Sequence, residues 1–180
     1  MYAAFSQTAA TTPMGPVDLE LLAVAAYLLG HVGDSIEALQ RAYALHVEDG
    51  EGHQAIRCAF WLSFHLINNG DFGQAEGWLA RANRLLEDLR EEGAAHGYVL
   101  LPRAFQQVAI IGDYAGGQET AARAADIGRR FGDLDVVALA LTLEGRALLR
   151  QGRASEGLGL LDEAMVSVVT GEVTAPVAGR

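Results

Sequence analysis

The residues able to do chemistry are few, and their spacing suits little of it. Five histidines, His31, His46, His53, His65 and His96, never stand three or four residues apart, the spacing that puts two imidazoles on one helical face to share a metal. Cys58 and His65 are seven apart and so share a face, as a thiolate–imidazole pair would. Their surroundings are apolar on nearly every side, which is the setting of a buried structural cysteine beside a hydrogen-bonded histidine. The glycine clusters "GDYAGG" (112–117) and "GLG" (157–159) have some of the look of phosphate loops, but no strand precedes them and no Gly-Lys-Ser/Thr follows. Acidic pairs such as Glu91-Glu92 and Asp162-Glu163 fall at helix ends or exposed faces and read as solvated charge. The sequence therefore predicts no catalytic residue, no metal site and no cofactor.

Composition narrows the class further. The chain has 180 residues, 51% of them hydrophobic, enough for one domain or a short repeat array with a core. Thirteen basic against 23 acidic side chains give a formal charge of −10, which argues against direct nucleic-acid contact by this segment, because such binding rests on neutralising phosphates. The longest apolar run, "LLAVAAYLL" (21–29), is well short of the roughly 20 residues of a membrane span. The N-terminal stretch lacks the basic and apolar regions of a secretory signal, and one cysteine allows no intrachain disulfide. A cytoplasmic protein without membrane attachment is expected.

What must position any functional residue is a repeat. Gly33-Asp34, Gly70-Asp71, Gly112-Asp113 and Gly152-Arg153 lie 37, 42 and 40 residues apart, a period typical of helical repeats. A glycine after an apolar run can end a helix in the left-handed conformation, and the following Asp can cap the next one. Asp34-x-x-Glu37 and Asp71-x-x-Gln74 have the capping-box pattern, and Ser155 is the expected cap at the fourth turn, where Arg153 replaces Asp. Five, nine and twelve residues after each glycine stand only small or apolar residues, the first never larger than Ala (Ala38, Ala75, Gly117, Gly157). That pattern fits two antiparallel helices crossing closely.

Second breaks at 48–52, 91–97, 131–135 and 170–173 complete eight helices, near 17–30, 35–48, 53–69, 72–91, 97–111, 114–130, 134–151 and 154–169. Pro102 predicts a kink or a late start in the third hairpin. The expected organisation is a tail over 1–16, a repeat domain over 17–170 with hairpins near 17–48, 53–91, 97–130 and 134–169, and a tail or the start of a truncated further repeat over 171–180. An uncapped last hairpin would expose apolar surface and favour self-association.

A helical hairpin with Gly-Asp at its turn, a small residue early in its second helix and a period near 40 resembles the tetratricopeptide repeat in a long variant, an all-α superhelix of about four antiparallel hairpins. The stretches "RCAFWLSFHLINNGDFGQAEGWLARANRLLEDL" (57–89) and "LALTLEGRALLRQGRASEGLGLLDEAMVSVVTGEV" (139–173) resemble more narrowly the tetratricopeptide-like segment of actinobacterial LuxR-type (MalT-like) transcriptional regulators. The chain carries neither the nucleotide-binding loop nor the helix-turn-helix of that family. The resemblance implies a non-catalytic sensing or protein-interaction platform whose partner is a protein or peptide, or a second copy of itself.

The resemblance also implies that the first helix of each hairpin lines a concave groove. Carried over residue by residue, the lining includes Tyr27, Arg57, Phe60, Phe64, Asn68, Gln106, Arg146 and Arg150, aromatic toward one end and cationic toward the other. Such a groove suits a peptide with an acidic part. The competing alternative is an all-α domain binding or acting on an anionic small molecule through Cys58, His65 or the arginine cluster, with Arg57→Ala as its control. Trp78 stands apart, filling space between the second and third hairpins or anchoring a partner at the surface.

Overall fold

In a computed structural model, residues 14–178 are described, and among them every regular element is a helix. The helices are α1 (Pro16–Leu28), α2 (Val32–Glu48), α3 (Gly52–Asn68), α4 (Phe72–Asp88), α5 (Ala95–Phe105), α6 (Tyr114–Phe131), α7 (Leu134–Arg150), α8 (Ala154–Val169) and the single turn α9 (Ala175–Ala178). None is long and apolar enough to cross a membrane. The fold is all-α and built of antiparallel hairpins, and it divides into two compact units at Arg90 and Glu91.

In the first unit α1 packs on α2, α2 on α3 and α3 on α4. With a neighbour on either side, α3 is the central helix, and it buries Ile56, Cys58, Phe60, Trp61 and Leu62. That explains the absence of a polar stripe along "AFWLSF". Its partner α4 needs only a narrow apolar edge and buries Ala75 and Ala82.

The first turn lies three residues earlier than the Gly-Asp pattern suggested. The left-handed residue is Gly30, with φ 79°, while Gly33 sits inside α2. Turn glycines Gly30, Gly70, Gly112 and Gly152 share φ between 79° and 87° and give a more even period of 40, 42 and 40 residues. With the corrected origin, the positions five, nine and twelve on become Ser35, Leu39 and Ala42, all buried, and Leu39 now corresponds to Leu79.

Capping also differs from the expectation. Asp34 is in the first turn of α2 and not at its N-cap, and Asp71 makes no capping bond because Asn69 Nδ2 donates to its carboxylate at 2.9 Å. Side-chain caps occur at Asp113, which accepts from Gly116 N at 2.9 Å, and at Asp133, which accepts from Val136 N at 3.0 Å. Ser155 does not cap α8, whose N-cap is Arg153. There the Arg153 guanidinium engages Glu156 instead.

In the second unit α7 is central, packed on α6 and α8. Glycine makes the α7–α8 crossing possible: a Cβ on Gly145 would stand 2.8 Å from the Gly157 carbonyl oxygen, and one on Gly157 would stand 2.7 Å from that of Gly145. Pro102 lies inside α5 as its sequence position indicated. Lacking an N–H, it cannot complete the helical ladder. The helix nonetheless continues and widens into a π-helical turn over Gln106–Ile111, which ends at the left-handed Gly112. After α8 the chain folds back: Thr174 donates from both N and Oγ1 to the Asp135 carboxylate, at 2.7 and 2.6 Å, and Val173 and Val177 are buried. The end of the last hairpin is thus partly covered, while Met165, Val166 and Val169 remain exposed.

Candidate functional site

The residues singled out from the sequence separate into different environments. In the first unit, Tyr27 stacks on His65 with ring centres 4.4 Å apart and planes within 7°. His65 Nδ1 is 3.2 Å from Ser35 Oγ. Phe60 is buried and meets Trp61 edge-on, so it is core and not open lining. Phe64 is half-buried against Trp61 and His65. Asn68 is exposed, with Nδ2 donating to the Phe64 carbonyl. These aromatics hold α1 to α3, since Tyr27 comes from one and His65 from the other.

Arg57 is not an open cation. Its guanidinium donates to Glu20 Oε2 at 2.6 Å. The other oxygen of Glu20 is 2.7 Å from His46 Nε2, and His46 Nδ1 is 2.6 Å from Glu51 Oε2. His46 is 1% exposed and stands in the last turn of α2, whose carbonyl end favours positive charge. With a carboxylate oxygen at each ring nitrogen, His46 bridges Glu20 and Glu51. Cys58 is fully buried beside this cluster. Burial first, then the Glu20 carboxylate, push its thiol far above the ordinary range, against an opposing pull from Arg57. A protonated, enclosed thiol is a poor nucleophile, and the group that Cys58 faces is His46 with Glu20, not the His65 that helical spacing offered. No single helix reveals this polar cluster, because Glu20, His46 and Cys58 come from α1, α2 and α3.

Trp78 is half-buried in α4, edge-on to Tyr43 of α2 at 4.9 Å, with Arg81 over its ring at 4.6 Å. These ring contacts lie inside the first unit, against the first hairpin. Tyr43 supplies an aromatic edge that the sequence pattern did not weigh. The indole borders an open concavity of about 630 Å³ with Gln40, Gln74 and Arg81.

In the second unit Gln106 begins the π-helical turn and is exposed. Arg146 and Arg150, one helical turn apart on α7, border an open concavity of about 550 Å³ with Ile110, Ile111, Tyr114 and Leu149. Neither arginine makes an ion pair among the described residues, including with Glu144. Ile110 and Ile111 are 71% and 64% exposed. The π-helical turn accounts for them: the widened turn breaks the 3.6-residue register that would otherwise keep an apolar pair facing the core. Nothing in the sequence pattern signals the widened turn.

No family model matches the chain, and no curated protein matches it. Among solved structures it is similar to BtubC (BKLC) from P. vanneervenii, with a TM-score of 0.56 and 17% identity, covering 95% of this chain and 72% of that one. At this identity the likeness speaks to the fold alone.

Proposed function

We propose that the chain is a non-catalytic interaction or sensing scaffold of the cytoplasm, the regulatory repeat domain of a LuxR-type transcriptional regulator, which binds a protein or peptide partner. One observation carries the binding reading. In a chain of charge −10, Arg146 and Arg150 make no ion pair among the described residues and stand beside two exposed isoleucines and an open concavity. All thirteen basic residues are arginines, the side chain whose planar fork matches a carboxylate bidentately. Exposed apolar surface rimmed by such charge is the kind of patch that takes a partner. The complementary ligand is an amphipathic peptide with Leu or Phe on one edge and Asp or Glu on the next. The regulator assignment is supported by the resemblance of residues 57–89 and 139–173 to the LuxR-type segment. It predicts that the parent reading frame runs on past Arg180 into a helix-turn-helix, whereas a stop codon there would leave a stand-alone adaptor.

Against the anionic-ligand alternative, the Arg57 guanidinium donates to Glu20 and Cys58 is enclosed. The test is the paired charge reversal Arg146→Glu with Arg150→Glu. Fluorescence anisotropy should show at least a ten-fold loss of affinity for an acidic, leucine-rich helical peptide, with the circular dichroism melt nearly unchanged. Unchanged affinity would reject the surface.

A further inference from the structure

We infer that Glu20, His46 and Cys58 form a binding site for a zinc-like divalent cation in the first unit, a role separate from the peptide surface of the second. One carboxylate oxygen, one imidazole nitrogen and the thiol sulfur, from α1, α2 and α3, converge with all three donor atoms within 4.8 Å of one another. Tetrahedral zinc binds oxygen, nitrogen and sulfur at about 2.0–2.3 Å, which places its donors about 3.3–3.7 Å apart. The widest separation therefore needs to close by only about 1 Å while the His46–Glu20 pair, at 2.7 Å, opens by about 0.6 Å. A mixed Glu/His/Cys set suits zinc and its analogues, because thiolate and imidazole select against magnesium and calcium.

The surroundings are those of a built site. A metal-binding histidine ordinarily donates its second ring N–H to a carboxylate, which fixes the tautomer and the ring plane. Glu51 occupies that place, at 2.6 Å from Nδ1, leaving Nε2 for the cation. Arg57 holds the second oxygen of Glu20 and so aims the first inward. The contact that a cation would replace is the one between His46 Nε2 and Glu20 Oε1 at 2.7 Å. Cys58 has no disulfide partner, and its buried sulfur gains a charge partner only when a cation enters. On binding, the thiol proton and the proton held between His46 Nε2 and Glu20 Oε1 pass to solvent, and the cation takes the thiolate and imidazole lone pairs with one carboxylate oxygen. Water completes the fourth position. The half-exposed side chains of Glu51 and Arg57 mark the way in. Charge balances, with two carboxylates, one thiolate and Arg57 set against the dication.

The experiment is a cobalt(II) titration of the full chain followed by absorbance. A thiolate-bound tetrahedral site should give a sulfur-to-cobalt band in the near ultraviolet and strong visible bands, saturating at one equivalent and displaced by zinc. Cys58→Ser should abolish the ultraviolet band. Because a buried substitution can unfold the chain, Glu51→Gln gives the second reading. Its side chain is about half exposed, and the variant should keep the band while weakening affinity about 10–100-fold. Absence of the ultraviolet band in the wild-type chain at excess cobalt would overturn the assignment, as would its persistence in Cys58→Ser. The peptide surface is untouched by either result, so failure here and failure of the binding reading are distinguishable.

Discussion

The two units use the same hairpin scaffold to opposite ends. The first brings its polar chemistry inside, where Glu20, His46, Glu51 and Arg57 form one chain of contacts between 2.6 and 2.7 Å. The second buries Asp135, bonded to Thr174, and Thr120, bonded to Gln107, in an otherwise apolar interior and leaves Arg146 and Arg150 at the surface. Ten residues before the turn glycine the four hairpins carry Glu20, Phe60, Pro102 and Thr142, so only the first spends this position on a charge. Repeat architecture thus decides where a residue points, and the individual substitution decides whether the position packs, binds or presents.

The largest effect should come from breaking the interior network. Glu20→Ala leaves the buried His46 Nε2 and the half-exposed Arg57 without their shared carboxylate and should cost about 3 kcal/mol, the upper end of leaving one buried polar group unpaired. The urea midpoint measures it, and a cost below about 1 kcal/mol, the scale of a surface pair, would mean that the two units do not differ in this way.

A close second is the α7–α8 crossing. Gly145→Val places side-chain atoms against the Gly157 carbonyl and Leu161, and overpacking of this kind typically costs about 1–3 kcal/mol. The thermal midpoint should fall accordingly. An unchanged midpoint would show that the crossing has slack.

Smaller effects discriminate the turn register. Gly33 is inside α2 with nothing within 4 Å of its added Cβ, whereas Gly30 has φ 79°. Gly33→Ala should stabilise by about 0.5–1 kcal/mol through helix propensity. Gly30→Ala should destabilise by about 1–2 kcal/mol because of its left-handed backbone. Opposite signs in the two midpoints would place the turn where the structure has it.

The smallest effect is electrostatic. Burial raises the Glu144 carboxyl above its ordinary range, against weaker lowering by Gln118 and Arg129. A carboxyl raised on folding binds its proton more tightly in the folded chain. Its favourable contribution is therefore present below the unfolded value and lost as pH climbs through the raised one. Glu144→Gln should stabilise slightly at pH 7 relative to pH 4, as read from paired melts; the reverse order would contradict the stated cause.

Much of the fold was legible because hairpin repeats write themselves locally, through glycine at each turn, small residues at the crossing and apolar residues elsewhere. The first turn was misplaced because two glycines lie three residues apart and the Gly-Asp dipeptide of the other turns favoured the wrong one. Only the packing of Ser35, Leu39 and Ala42 separates them. The aromatic residues of α3 were recognisable, but not their division into buried (Phe60) and half-buried (Phe64), because α3 is covered by neighbours on two sides. The Glu20–His46–Cys58 convergence was invisible to spacing rules, since those rules compare residues along one helix. What could have exposed it is the charged Glu20 at a repeat position that carries no charge in the other hairpins.

The central claim, that Arg146, Arg150 and the exposed isoleucines form the binding face, is tested most directly by selecting peptides on the wild-type chain from a display library biased toward acidic amphipathic helices. The enriched peptides should place Asp or Glu beside Leu or Phe and lose at least ten-fold in affinity for the Arg146→Glu, Arg150→Glu variant. Enriched peptides that bind both chains equally, and that are displaced by substitution at Trp78 instead, would move the binding face to the first unit and contradict the account.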